Sequence, residues 1–405
     1  MKLTIRYERL LSFIFLLPYL EGAFSFLTIY KNGAVFSVAT LVLLVLSVLF
    51  LLIPARGRAN LLISFYKLEF LLPLYLTISV LLMKERTEVS VSTYLWMISS
   101  IVFSLLFIAF FITRKLDIDV LLIDCIENFS ALCVLLLVRA IFMDHLFIDF
   151  SSRFNPPGGG SVIFGYTCTV FLALTFYYYE KIRYPHAIIT IFIISILGTM
   201  SRGAIWPAAL IVLFFIMTFK KDSKNKMVVS IIILFFSFVA AIFLPIVLLQ
   251  VAPRLLEASD YARQLTMKSV FETFQWYTPS NRIWGLGLGK VYQYQQWLTD
   301  NKFNTDVYYN NFFVFHGRPI LVHPHNVYFY YLLETGIVSV ILFVLPFFKY
   351  FLNAIRTKNF WHFILIFVVL FINFFDSVMI VEPGVASILY VTLFLLFYQN
   401  TQNNQ

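Results

Sequence analysis

Apolar runs of about twenty residues recur from one end of the chain to the other, each long enough to cross ~30 Å of hydrocarbon as a helix. No other feature narrows the possible folds so sharply. In hydrocarbon every backbone N–H and C=O needs a partner inside the protein, which leaves helices and closed barrels. A barrel would need short segments of alternating polarity, and these runs are solid. Sixty per cent of the 405 residues are hydrophobic and only 13% are charged. That composition excludes a soluble domain. The expected fold is an all-α polytopic membrane protein, one membrane domain over residues 1–405.

The pattern predicts about twelve transmembrane helices. They run roughly Leu10–Tyr30, Ala34–Ile53, Leu61–Leu82, Val91–Ile112, Val120–Met143 and Ser161–Tyr179, then Ala187–Met200, Gly203–Phe219, Met227–Val251, His325–Phe347, Phe360–Ile380 and Gly384–Phe397. The first follows Lys2, Arg6 and Arg9 and reads as a retained signal anchor. One set of loops and ends carries sixteen basic residues: those three, Arg56, Arg58, Arg114, Lys115, Lys181, Arg183, Lys220, Lys221, Lys224, Lys226, Lys349, Arg356 and Lys358. The short loops of the other set carry five: Lys31, Lys84, Arg86, Arg153 and Arg202. The bias puts both termini in the cytoplasm. The net charge of +9 therefore reads as an orientation signal, and no nucleic-acid partner is expected.

Two extracytoplasmic loops stand out. One runs from Asp144 to Gly160. The other, residues 252–322 between the ninth and tenth spans, is long for a tightly looped protein, and such loops are usually functional. It is rich in Arg, Lys, Tyr and Trp, and part of it is expected to form short amphipathic helix on the membrane. Cys125, Cys133 and Cys168 fall inside spans and read as small buried hydrophobes rather than disulfide or metal ligands. The polar tail from Gln399 reads as a frayed cytoplasmic end.

Chemistry-bearing residues gather on the outer side. In Gly198-Thr199-Met200-Ser201-Arg202-Gly203, Ser201 is a natural N-cap and Arg202 opens a helix. Free N–H groups, the positive dipole end and a guanidinium together suit a phosphate, although an interfacial anchor explains the arginine equally well. Arg139 lies near the outer end of the fifth span, Arg153 in the following loop and Arg318 just before two histidines. Arg282 precedes Trp284-Gly285-Leu286-Gly287-Leu288-Gly289, whose alternate glycines allow close approach to another element or a ligand. His323-Pro324-His325-Asn326 sits where the long loop meets the tenth span. With an ordinary pKa of about 6.5, His325 is able to accept a proton near neutral pH. Phe329, Leu332 and Gly336 share its helical face. Glu334 points the other way, so it is expected in a structural ion pair.

Other acidic groups read as structural. Asp117 and Asp119 resemble a nucleotide-sugar metal pair but lie in a short loop with no domain to hold a nucleotide, so they read as solvated charge. Asp144, His145 and Asp149 do not have the spacing of a ligand set. Lys67 with Glu69, and Asp124 with Glu127, form either an ion-pair network or a transporter's proton path.

Three motifs together resemble those of the O-antigen ligase/O-antigen polymerase superfamily. They are the Gly198–Gly203 turn, the run Asn281–Gly289, and His323-Pro324-His325-Asn326 followed by Glu334-Thr335-Gly336-Ile337. Their order and the single large outer loop agree as well. Val338-Ser339 stands where the family often has a second glycine. The resemblance implies a GT-C-like, inverting membrane glycosyltransferase of the bacterial cytoplasmic (inner) membrane, with its active site on the periplasmic face. It implies an undecaprenyl-diphosphate-linked glycan as donor, and lipid A–core or a lipid-linked repeat unit as acceptor. His325 would be the catalytic base. Arg202 and Arg282 would hold the diphosphate, helped by Arg139, Arg153 and Arg318, with Ser201, His323 and Asn326 in support. No cofactor or metal is called for, because arginines supply the charge a diphosphate leaving group needs. Polymerase is the alternative to ligase. A flippase or other transporter is the alternative from another class, but it predicts an inverted repeat and charges at mid-bilayer, and neither is visible.

Overall fold

The computed structural model of the chain describes residues 7–13, 29–31, 34–36, 45, 66–82, 88–143, 154, 160–199, 201–218, 270–271, 273–291, 294, 313–315, 318–320, 326–375 and 383–402. Among these the fold is helical apart from two short antiparallel hairpins. Helix α1 is Tyr7–Ser12, α2 Leu71–Leu82, α3 Glu88–Thr113, α4 Ile118–Met143, α5 Gly160–Tyr177 and α6 Pro185–Thr199. Then come α7 Arg202–Thr218, α8 Pro279–Trp284, α9 Val327–Arg356, α10 Phe360–Phe375 and α11 Pro383–Gln402. Two described helices are long and apolar enough to cross a membrane, Ile118–Phe142 (25 residues) and Val327–Arg356 (30 residues).

Helix α5 is the hub. It is apolar on every side, as a helix surrounded by others must be, and Phe164, Tyr166, Cys168, Phe171 and Leu174 are all buried. Around it pack α4, α6, α7 and α10. Aromatic rings fill the seams: Phe129 of α4 stacks on Phe171 at 4.5 Å and Phe176 on Phe215 of α7 at 4.3 Å. Cys133 and Cys168 touch, Sγ to Sγ 4.0 Å, and all three cysteines are buried and free. A second, smaller cluster lies beside this core, where Val270, Tyr277 and Val291 of the long loop close over Leu333 of α9.

Several expectations are corrected. Ile29–Lys31 (β1) and Ala34–Phe36 (β2) pair as a hairpin instead of ending one span and starting the next. The two residues between them, Asn32-Gly33, are a preferred pair for a two-residue hairpin turn. A second hairpin, β3 Phe313–Phe315 with β4 Arg318–Ile320, lies in the long loop, so the chain is not purely α. Residues 67–70 form a turn and helix starts only at Leu71. That places Pro73 in the first turn, where a missing N–H costs nothing.

Helix α9 continues nine residues past Phe347, so Lys349 lies inside a helix, not in a loop. Its ammonium reaches the buried Glu69 at 3.1 Å and lies 4.5 Å from the Phe397 ring centroid. Tyr350 also donates to Glu69. Glu69 is thus partnered from far along the chain, and Lys67 is exposed. Asp117 caps α4 by accepting from the N–H of Asp119, 2.9 Å. Asp119 binds Lys181 and, at 2.6 Å, Gln399. The tail is therefore helical through Gln402, and Asn400 is buried against Thr357 and Asn359 at 2.6 and 3.3 Å. The first, second and ninth spans lie mainly outside the described residues.

Candidate functional site

The site is organised around a break in α9. Gly336 has φ 76 and ψ −175 inside the helix, a conformation only glycine adopts without strain. The break releases carbonyls from the helical ladder, and buried carbonyls require partners. Three donors from elsewhere supply them. Tyr277 Oη donates to Leu333 O at 3.0 Å, the Gly287 N–H to Glu334 O at 2.8 Å, and Tyr75 Oη of α2 to Thr335 O at 2.8 Å. Below the break, Thr335 Oγ1 donates to Ser339 Oγ at 2.7 Å, so Ser339 helps tie the two halves of the helix. Tyr75 also stacks on Trp284, ring centroids 6.4 Å apart. Burial pushes the Tyr277 phenol well up, with the nearby Glu334 adding to it, so Tyr277 remains a donor.

Against this break rests the glycine loop. Thr278 caps α8, accepting from the Asn281 N–H at 3.2 Å, and Pro279 opens it. Gly285 ends it with φ 77, and Gly287 and Gly289 also have positive φ. A Cβ on Gly285 would overlap the Glu334 carbonyl and lie 2.5 Å from Thr335 Cα. One on Gly336 would overlap the Ile283 carbonyl and lie 2.5 Å from the Gly285 nitrogen. The alternate glycines therefore serve backbone-to-backbone contact with α9. The Glu334 carboxylate accepts from the Gly289 N–H at 2.6 Å. This corrects the expected ion pair: among the described residues Glu334 pairs with no basic side chain and instead grips the loop.

Arg282 rides on α8. Its Nη2 donates to Gln275 O at 2.9 Å, its guanidinium lies 5.7 Å from the Phe274 ring, and the side chain is otherwise exposed. The loop amides of Gly287 and Gly289 are occupied by Glu334, so any anion bound here must be met by side chains. Asn326 is the N-cap of α9, accepting from the Phe329 N–H at 3.0 Å. Its amide nitrogen donates to Phe374 O at 2.7 Å, which fixes the mouth of α9 to the end of α10. Both ends of this amide are used, so Asn326 serves the fold at the mouth of α9. Nine residues separate Asn326 from Thr335, about 14 Å of helix.

At the second corner, α6 turns into α7. Buried Ser201 occupies the cap place: its carbonyl accepts from Ala204 and Ile205 at 3.0 and 2.9 Å. The turn is supported from behind by the Thr199 hydroxyl, which accepts the Ser201 N–H at 3.3 Å. A Cβ on Gly203 would overlap the Tyr166 hydroxyl, so this glycine lets α7 lie against α5. Phe154, next in sequence to Arg153, donates its N–H to Gly198 O at 2.8 Å. Arg202 begins α7 and Arg318 begins β4; the side chains of both lie outside the described residues. Arg153, His323 and His325 lie outside them as well. Arg139, near the end of α4, is exposed.

The structure thus joins the glycine loop and Arg282 to the break in α9, while Asn326 at the mouth of the same helix is tied to α10. Sequence reasoning missed Tyr75, Tyr277 and the gripping role of Glu334. The available signal was a carboxylate and two tyrosines next to apolar helix positions, where a lone polar group needs a partner.

Residues 187–344 match the family model for O-antigen ligase. The matched segment carries Ser201, Arg202, Arg282, Arg318, His323, His325 and Asn326, and excludes Arg139 and Arg153. A search of curated proteins found no match to the chain. The turn at Ser201, the glycine loop and the break at Gly336 all lie inside the segment of this chain, residues 187–344, that is similar to the O-antigen ligase family.

Proposed function

We propose that the protein is an O-antigen ligase-type glycosyltransferase that moves an undecaprenyl-diphosphate-linked glycan to lipid A–core. The observation that carries this is the docking of the Arg282-bearing loop on α9 within the segment that matches the ligase family. His325 removes the proton of the acceptor hydroxyl. That oxygen attacks the anomeric carbon, the bond to undecaprenyl diphosphate breaks, and configuration inverts in this single displacement. Arg202 and Arg282 take up the charge on the departing diphosphate, so the leaving group needs no acid. Arg139, Arg153 and Arg318 assist in drawing the anionic donor to the outer face, with Ser201 and His323 in support.

The length of α9 supports this placement. From Gly336 to Arg356 is twenty residues, about 30 Å at 1.5 Å each, which is the hydrocarbon thickness. With Arg356 at the inner boundary, Gly336 stands at the outer one. Arg282 then lies at headgroup depth, where the donor's diphosphate lies. The full arrangement is about twelve spans in the bacterial inner membrane, with a GT-C-like outer site and both termini cytoplasmic.

The test is transfer in membranes, with lipid-linked glycan as donor and lipid A–core as acceptor, scored as a lipopolysaccharide ladder. Wild type decorates core, whereas His325→Ala and Arg202→Ala do not at equal protein level. Transfer that survives His325→Ala sinks the proposed base. Long lipid-linked chains on bare core would make the protein a polymerase using the same groups.

A further inference from the structure

We infer that Glu334 is a positioning residue for this reaction: it fixes the register of the glycine loop on broken helix α9 and thereby holds Arg282 in place. The inference rests on the transferase site proposed above.

An ionisable group placed in an apolar helix is costly and calls for a specific partner. Glu334 is buried, yet no basic side chain pairs with it among the described residues. It is bound to the loop twice instead. Its carbonyl accepts from the Gly287 N–H at 2.8 Å, and its carboxylate from the Gly289 N–H at 2.6 Å. The Lys290 backbone N–H contributes as well. One residue therefore grips two alternate glycines. Gly285, Gly287 and Gly289 all have positive φ, and glycine backbone is intrinsically permissive, so the loop needs an external fix to hold one shape. Tyr277 closes the other side: it packs beside Val291 and Leu333 and bonds the Leu333 carbonyl.

What the clamp holds is α8. Gly285 donates its N–H to Asn281 O at 2.8 Å, so the one-turn helix and the loop are continuous. Arg282 sits in that last turn, three residues from Gly285. The Asn326 end of the site belongs to α9 itself. Glu334 thus sets the distance between the guanidinium on the loop and the helix mouth that follows His325. A misplacement of about 1 Å in such a site costs on the order of 100-fold in rate.

The experiment is a double-mutant cycle in the full-length protein in membranes. It measures kcat per folded enzyme for Glu334→Ala, Arg282→Ala and the pair, with Glu334→Gln alongside. Hydrogen exchange of the 285–290 segment gives an activity-independent readout. Glu334→Ala is expected to speed exchange there and to lower kcat about 100-fold, with no further loss once Arg282 is already Ala. Glu334→Gln keeps an oxygen for the Gly289 N–H and is expected to restore protection and most of the transfer. Independent losses in the cycle would show that Glu334 does not act through Arg282 and would overturn the inference. So would a folded Glu334→Gln as inactive as Glu334→Ala, because the charge itself would then be used. Full transfer by Arg282→Ala alone would instead remove Arg282 from the site, and the inference would fall with that assignment.

Discussion

Single atoms decide how the site closes. Gly336 and Gly285 touch backbone to backbone, and a methyl group on either overlaps the other's segment. Gly336→Ala is therefore expected to lift the loop off α9. The measurement is thermal unfolding in detergent, with a loss of roughly 1–3 kcal/mol for strain at a positive-φ position, accompanied by loss of transfer. An unchanged midpoint with full activity would mean that the loop does not depend on this contact. The glycines were legible as glycines for close approach. Their partner was not, because Gly285 and Gly336 are far apart in sequence and only packing brings them together. Asn326, expected to support His325, is a helix cap that also bonds Phe374.

At the scale of elements, the broken helix is the device that makes the site. A straight α9 would satisfy its own carbonyls and offer nothing for a loop to bind. The break exposes Leu333, Glu334 and Thr335 carbonyls to Tyr277 and Gly287 of the long loop and to Tyr75 of α2. Tyr75→Phe removes one of these donors and keeps the ring on Trp284. The expected cost is about 1 kcal/mol, read as a lowered unfolding midpoint, with faster exchange around residue 335. No change in either would show that another group satisfies that carbonyl. Periodicity located the helix but not its break, since Glu334-Thr335-Gly336 fits a helix pattern and one glycine inside a helix is tolerated at modest cost.

Across the whole molecule, polar side chains tie distant segments at the end of the bundle opposite the site. Glu69 with Lys349 and Tyr350 joins α9 to the turn before α2, and Asp119 with Lys181 and Gln399 joins α4, the turn after α5 and α11. Removing Lys349 alone leaves the Glu69 carboxylate buried without its counter-charge, which costs about 3–5 kcal/mol. Lys349→Met is therefore expected to destabilise more than the pair Glu69→Leu with Lys349→Met, as compared by unfolding midpoints. Equal loss in the two would show that the ions are not coupled. Lys349 also illustrates what a residue string conceals. Counted among loop charges, it reads as an orientation signal; packed, it is a half-buried cation against Phe397 and Tyr350. The helical class, the membrane setting and the approximate place of most described helices follow from hydropathy and spacing, because solvation by lipid acts on each segment separately. The hairpins, the break at Gly336, the partner of Glu334 and the ordered Gln399–Gln402 turn depend on groups tens to hundreds of residues apart or on local backbone geometry. Those were settled only when packing chose which polar atoms meet.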